Sequence, residues 1–484
     1  MDEQAKARHL CWRAGFDGVA AMATPGQPVR LKPLIRKMLQ PSPEIAAITA
    51  PEIAALSLPG TARAKPASPE EKRALRKQQQ QGIRHLNLAW LDTMVATSSP
   101  LQEKMSLFWH GHFACRVGNA VHNGRLLNVI RQHALGDFGT LLTAVSKSAA
   151  MLQFLNNQQN RKQHPNENFA REVMELFTMG RGNYTEDDVK EGARAFTGWA
   201  YDGDGNFRFR RSVHDNGVKT FLGKTGNFDG DDILKMLLEQ RATAYHITDK
   251  LYRYFVNETP DEAKIKDLAG RFYQSNYDIR ALMRHIFESD WFYDPVNTGN
   301  RIKSPVELLV GMRRSIPVTF ARADTQLLVQ RLLGQVLFYP PNVAGWPGGR
   351  SWIDSSTLMF RMRLPQIVYY DETLDMQPKD MPDEMMMDGP GRPPAQRRRY
   401  AENDRFVRNY ARRIDADPHW DAYMKKFQQT PSGELPAAVS RVLLAGTPPA
   451  GSSALLKPYA SAGREEAIKA MSVAVMSLPE YQLC

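Results

Sequence analysis

Two histidines one residue apart stand out first, His110 and His112 in Phe108-Trp109-His110-Gly111-His112-Phe113. On an extended backbone, residues i and i+2 share a face and can chelate one metal ion. On a continuous helix they point about 200° apart and cannot. Gly111 offers a place for a helix to end, which keeps chelation open. The competing reading is packing, with one imidazole at a helix end and the other among the aromatics.

A second group is acidic. In His164-Pro165-Asn166-Glu167-Asn168-Phe169-Ala170-Arg171-Glu172-Val173-Met174-Glu175, the residues Glu172 and Glu175 lie three apart on one helix face, and Glu167 and Arg171 lie four apart, within pairing reach. Helical proteins build metal centres from such carboxylates and histidines of other segments, normally as Glu-x-x-His, so Glu-x-x-Glu is a departure. His214-Asp215 adds an imidazole beside a carboxylate, the ingredients of a ligand or of a general base with its orienting partner. On this reading His110, His112 and His214, with Glu172 or Glu175, hold a divalent metal ion. Glu167, Arg171 and Asp215 then serve the chemistry. Arg194 and Trp199 in EGARAFTGW, with Lys303, Trp346 and Trp352, would suit an anionic or carbohydrate ligand. The plain alternative is the same throughout: ionic helix faces and capped helix starts over an apolar core. No Walker A, paired-glycine fingerprint, CxxC pair, HExxH or GxSxG is present.

The elements that must carry these residues read as helices almost throughout. Ser68-Pro69-Glu70-Glu71 predicts a helix running to about Thr97, and Pro100 starts the next. Asn166 and Gly180 bracket one helix, Thr185 opens another, and Ser304-Pro305 a further one. More helices are expected at 230–240, 243–256, 260–275, 278–288, 304–314, 324–335, 354–368, 401–414, 433–446 and 464–477. FRFR (207–210) and KTFLG (219–223) alternate and predict a small β-hairpin or irregular insert. The Trp/Gly/Pro-rich stretch FYPPNVAGWPGGRSW (338–352) cannot be a regular helix, and is expected to be a packed loop or a pocket wall. The fold class is therefore mainly α: a large multi-helix body over 1–371, a flexible Pro/Met/Asp/Arg-rich insert at 372–400, and C-terminal helices at 401–484 packing on the body.

The 484 residues carry 63 Lys+Arg against 52 Asp+Glu, a net charge of +11. The excess is local: ten Lys/Arg, among them Arg397, Arg398, Arg399, Arg412 and Arg413, face five acids over 391–428. No nucleic-acid-binding motif accompanies it, so nucleic acid is not the expected main partner. Three cysteines (Cys11, Cys115, Cys484) exclude a disulfide-stapled scaffold. No apolar run is long enough for a membrane span, and MDEQAKARHL has no apolar core of a signal peptide. The compartment stays open between the cell interior and export with a partner.

The segments HLCWRAGF, LFWHGHF, NENFAREVMELFTMGRGNYTEDDVKEGARAFTGW, HDNGVKTFLGKTGNFDGDDIL, RIKSPVELLVGMRR and LFYPPNVAGWPGGRSWIDSSTLMFR together resemble the bacterial family catalogued as domain of unknown function 1800, from about His9 to SLPEYQL. The resemblance implies a mainly helical protein, often found beside a second family, domain of unknown function 1501 (DUF1501), which is similar to sulfatases and alkaline phosphatases. It assigns no reacting residue. Two functional expectations follow. One is a metal-assisted enzyme acting on an envelope or extracellular polymer or peptide. The other is a non-catalytic helical scaffold or chaperone for a sulfatase-like DUF1501 partner.

Overall fold

The computed structural model describes residues 1–18, 29–41, 45–49, 68–373, 414–446, 456, 458–459 and 463–484. Almost all of the insert expected at 372–400, the helix expected at 401–414 and the arginines of the basic run lie outside these residues.

Capping side chains open most helices, because each helix start leaves backbone N–H groups without partners. Asp2 caps α1 (Glu3–Ala14), and α2 spans Leu31–Leu39. Ser68 and Glu71 form a reciprocal capping box, with Pro69 in the first turn, at the head of α3 (Pro69–Ala96). There follow α4 (Pro100–His112), α5 (Ala120–His133), α6 (Phe138–Ser146) and α7 (Ala149–Phe154). Asn166 caps α8 (Glu167–Glu172), which passes directly into a π-helical turn, Val173–Thr178. Thr185 and Asp188 box the start of α9 (Glu186–Ala195).

The β insert is two small hairpins rather than one. β1 (Trp199–Tyr201) pairs with β2 (Phe207–Phe209), and β3 (Lys219–Phe221) with β4 (Lys224–Gly226), both antiparallel. Leu222 and Gly223, both at positive φ (47° and 77°), make a two-residue turn that folds KTFLG onto the strand after it. FRFR is left to pair with the strand before it.

The rest is helical: α10 (Gly230–Leu238), α11 (Arg241–Phe255), α12 (Glu262–Gln274), α13 (Ile279–Glu288), α14 (Pro305–Ser315), α15 (Thr325–Leu333) and α16 (Ser355–Tyr369). After them come α17 (Trp420–Met424), α18 (Leu435–Leu443) and α19 (Arg464–Met476). A last two-stranded pairing joins β5 (Val318–Phe320) to β6 (Ala416–Pro418). The described chain is thus mainly α.

Two apolar clusters form the interior. One gathers side chains of α1, α2, α4 and the helices α5–α13. The other gathers α3, α14–α16 and the C-terminal helices α17–α19. Between them lies α4, with every residue from Leu101 to His110 buried. A helix buried on all sides must find partners for its charged residues. Glu103 receives Arg131 at 2.7 Å and the Trp90 Nε1–H at 2.9 Å, while Lys104 meets Glu307 at 2.5 Å on the other side. Among the described residues no helix is long and apolar enough to cross a membrane.

Candidate functional site

Gly111 does not end α4. The Phe113 N–H closes on Trp109 O at 2.8 Å, so the helix continues through His112 and the two imidazoles face apart. His110 Nε2 accepts the Phe338 N–H at 3.2 Å, with the rings of Trp90, Phe338 and Trp346 around it. Burial pushes its pKa down to about 4. His112 donates from Nε2 to Phe177 O at 3.3 Å and stacks on Phe108. His214 donates from Nδ1 to Thr197 O at 2.9 Å, edge-on to Phe209.

The acids are equally occupied. Glu175 accepts from Tyr184 Oη at 2.5 Å and Arg181 Nε at 2.6 Å, which hold its carboxyl below the usual range. Glu172 sits half-buried nearby, its pKa raised by desolvation and then by Glu175. Arg171 bridges Glu186 at 2.7 Å and Glu167 at 3.2 Å. Arg194 pairs with both Asp215 and Glu191 at 2.8 Å. Trp199 is buried against Phe196 and Phe207. Lys303 is buried between the rings of Trp12 and Tyr481, at 3.8 and 3.9 Å, and Trp352 is buried as well. The structure therefore brings together Glu167 with Arg171, Arg194 with Asp215, and His110 with Trp346. It does not bring His110, His112, His214, Glu172 and Glu175 to one point. Among the described residues no three His, Cys, Asp or Glu side chains are placed to hold a metal ion.

What converges instead is a ladder between two helices. Lys104, Phe108 and His112 stand at four-residue spacing along α4, and His246, Lys250 and Tyr254 do the same along α11. That spacing puts each trio on one helix face. The rungs are Lys250 Nζ to His112 Nδ1 at 3.3 Å, the Phe108 and Tyr254 rings at 5.2 Å, and Glu307, which takes both Lys104 and the Tyr254 hydroxyl (3.4 Å).

The open end of the ladder faces the π-helical turn. The last carbonyls of a helix have no intrahelical donor and carry partial negative charge. Here Leu176 O accepts from Lys250 Nζ at 3.1 Å and from His246 Nε2 at 3.4 Å, while Phe177 O takes His112. Gly180, at φ +77°, lets the chain turn away; a Cβ there would come 2.8 Å from His246 Nδ1. The donors in this corner are basic, and burial dominates their titration over the opposing charge of Asp249. Lys250 is pushed down to about 8, His246 to about 4 and His112 well below its usual range, the last two also by the neighbouring Lys250.

The Lys250 geometry has a chemical consequence. An ammonium has three N–H bonds. Two point at Leu176 O and at the Nδ1 lone pair of His112, whose Nε2 carries the proton. No acceptor among the described residues takes the third. When the amine loses its proton, two N–H bonds stay in place and the lone pair occupies that third direction. The loop 338–352 touches the C-terminal end of α4 and the residues that follow α11. Gly345, at φ +80°, rests on Gly111 O, Gly349 lies against Glu258, and Trp346 is thereby set on His110.

The ladder escaped the residue-type reading because Lys250 and His246 belong to no catalytic motif. One signal was available: charged residues at four-residue spacing inside strongly apolar helices, as in LQEKMSLFWH and TAYHITDKLYRY.

No curated protein and no solved structure matches the chain. The family described as protein of unknown function (DUF1800) matches across residues 9–483, and the chain belongs to that family.

Proposed function

We propose that the chain is an acid–base enzyme whose working group is the Lys250 amine, with His112 as its orienting partner. The observation that carries this is the Lys250 Nζ, held by Leu176 O and His112 Nδ1, with no acceptor among the described residues for its third N–H. A lysine in a desolvated site that titrates near neutrality is suited to take a proton. In this reading the neutral amine removes a proton from the substrate along the free direction. The two retained N–H bonds keep the new ammonium fixed, and the helix carbonyls stabilise it. His112 stays neutral throughout, since its protonation would break its acceptance from Lys250. Trp346 on His110 and the exposed Arg350 would suit a carbohydrate or anionic polymer at the loop 338–352, on the side of α4 turned away from Lys250. A divalent ion, expected from the sequence, has no converging donor set among the described residues, so no step passes through one.

Competitive labelling with trace acetic anhydride, resolved by peptide, tests the reading. Lys250 is expected to become reactive with a midpoint near pH 8. A midpoint at the ordinary lysine value of about 10.4, or no labelling at any pH, overturns it.

A second reading, a scaffold for a partner such as a DUF1501-family protein, draws support from one observation. Arg171, Arg194, Asp215 and Glu175 are all consumed by internal pairs. It predicts a stable complex on co-expression, and failure to co-purify in mild salt counts against it.

A further inference from the structure

A cluster of cations, sharing no residue with the Lys250 corner, sits where two segments cross. β2 runs on through Arg210 into a 3₁₀ turn, Arg211–Val213. Residues 160–162 lie against this end of the strand. The Gly198 N–H donates to Asn160 O at 3.1 Å, the Arg210 N–H to Gly198 O at 2.8 Å and the Lys162 N–H to Val213 O at 2.9 Å. Asn160 is buried and fixes the crossing, giving Nδ2 to Ala193 O at 2.8 Å and accepting the Asn166 N–H at 2.9 Å. Backbone bonds thus gather Arg161, Lys162, Arg210 and Arg211 at one place.

These four side chains make no ion pair with any described residue, and Arg161, Lys162 and Arg211 are exposed. The acids on the two segments, 157–167 and 198–215, are Glu167, Asp202, Asp204 and Asp215. Glu167 is taken by Arg171, and Asp215 by Arg194. Asp202 lies by Arg208, and with Asp204 it belongs to the turn, at the opposite end of the hairpin from Arg210. Arg210 shows the imbalance. Its Nη2 is fixed on Gln158 O, and burial, then the neighbouring Arg161, lower its pKa with no acid opposing them. Like charges held together at a surface create a field that attracts a polyanion.

The aromatic neighbours are committed elsewhere. Phe207 packs edge-on to Trp199, and Phe209 edge-on to His214. Proteins that hold single-stranded nucleic acid stack its bases on aromatic rings beside the cations. A surface that offers charge without such rings suits a ligand with nothing to stack. A guanidinium fork also matches the two oxygens of a carboxylate.

We propose that Arg161, Lys162, Arg210 and Arg211 form a binding surface for an acidic polysaccharide, gripping carboxylates along its chain.

The test uses the full chain and fluorescently labelled polygalacturonate, with neutral dextran and single- and double-stranded DNA as competing probes. Polygalacturonate is expected to bind, and dextran not to, with an affinity that falls as salt rises. Arg161→Gln with Arg211→Gln should weaken binding at least about fivefold, the worth of two exposed ion pairs. Lys266→Gln with Arg284→Gln removes the same charge from exposed positions of α12 and α13 and should leave the affinity within about twofold, the effect of net charge alone. No binding of polygalacturonate at low salt, equal binding of dextran, or the same loss in both double variants overturns the proposal. Tighter binding of either DNA, lost in Arg161→Gln with Arg211→Gln, overturns it too and gives the surface to nucleic acid. Should that double variant not fold, Lys162→Gln, whose side chain has no partner to lose, decides. It weakens polygalacturonate binding about twofold if the proposal holds and leaves it unchanged if not.

Discussion

Replacing Glu307 by Gln tests the interior electrostatics most directly. The carboxylate is 1% exposed and receives two bonds from Arg301, one from Lys104 and one from the Ser304 N–H. Glutamine keeps the shape but removes the charge, and its amide NH2 must face donors where an acceptor stood. Two cations are then stranded. Removing one partner of a buried ion pair costs about 3–5 kcal/mol, and the variant should lose that much stability. Arg301 and Lys104 hold the Glu307 carboxyl well below its usual range against the opposing effect of burial. A depressed carboxyl contributes stability that is fully present above its unfolded value, about 4.3, and is lost as pH falls through the folded value. The gap between wild type and variant should therefore be flat from neutrality down to that point and narrow below it. Urea midpoints followed by tryptophan fluorescence and far-UV circular dichroism measure the gap. A cost under about 1 kcal/mol, where surface pairs fall, would refute the reasoning, as would a gap already narrowing well above the carboxylate range. A companion variant, Lys104→Met with Arg301→Met and Glu307→Leu, should cost less than Glu307→Gln alone, because it strands none of the three.

Three further outcomes are expected. Gly345→Ala forces a side chain into φ +80° and onto Gly111 O, so it should cost about 1–3 kcal/mol and shift Trp346 fluorescence as the loop lifts from His110. His110 folds neutral with a pKa of about 4, while the unfolded imidazole titrates near about 6.5. The unfolded state thus binds the extra proton between those values, and stability should fall as pH drops through that window. His110→Phe should remove its share of that slope, at a baseline cost of about 1–3 kcal/mol for the orphaned Phe338 N–H; an unchanged slope in stability-versus-pH curves contradicts this. Lys250 folds with a pKa of about 8, below its unfolded value, so its charge is a penalty in full below pH 8 that fades as pH rises toward the unfolded value. The stability of Lys250→Met relative to wild type should accordingly be greatest near neutrality and shrink in alkali, read from melting curves across that range.

Local chemistry made much of this protein legible from its residues. Ser68 with Glu71, Thr185 with the acids after it, and Ser304-Pro305 each open a helix where capping physics puts one. Asn119, Asp137 and Ser148 are caps of the same kind, and open α5, α6 and α7, which the sequence reading does not include. The family also follows from the run of motifs, which is a property of the chain alone. The site is another matter. His112 and Lys250 are 138 positions apart, and Lys104 and Glu307 are separated by most of two apolar clusters in sequence. Nothing in spacing or composition pairs them. Helix continuity through Gly111 decided that His110 and His112 face apart, and the packing of α4 against α11 decided which carbonyls and cations meet. Capping and periodicity act within a few residues, so sequence determines them. The meeting of distant side chains depends on how buried helices pack, where one rotation of a helix changes every partner it has.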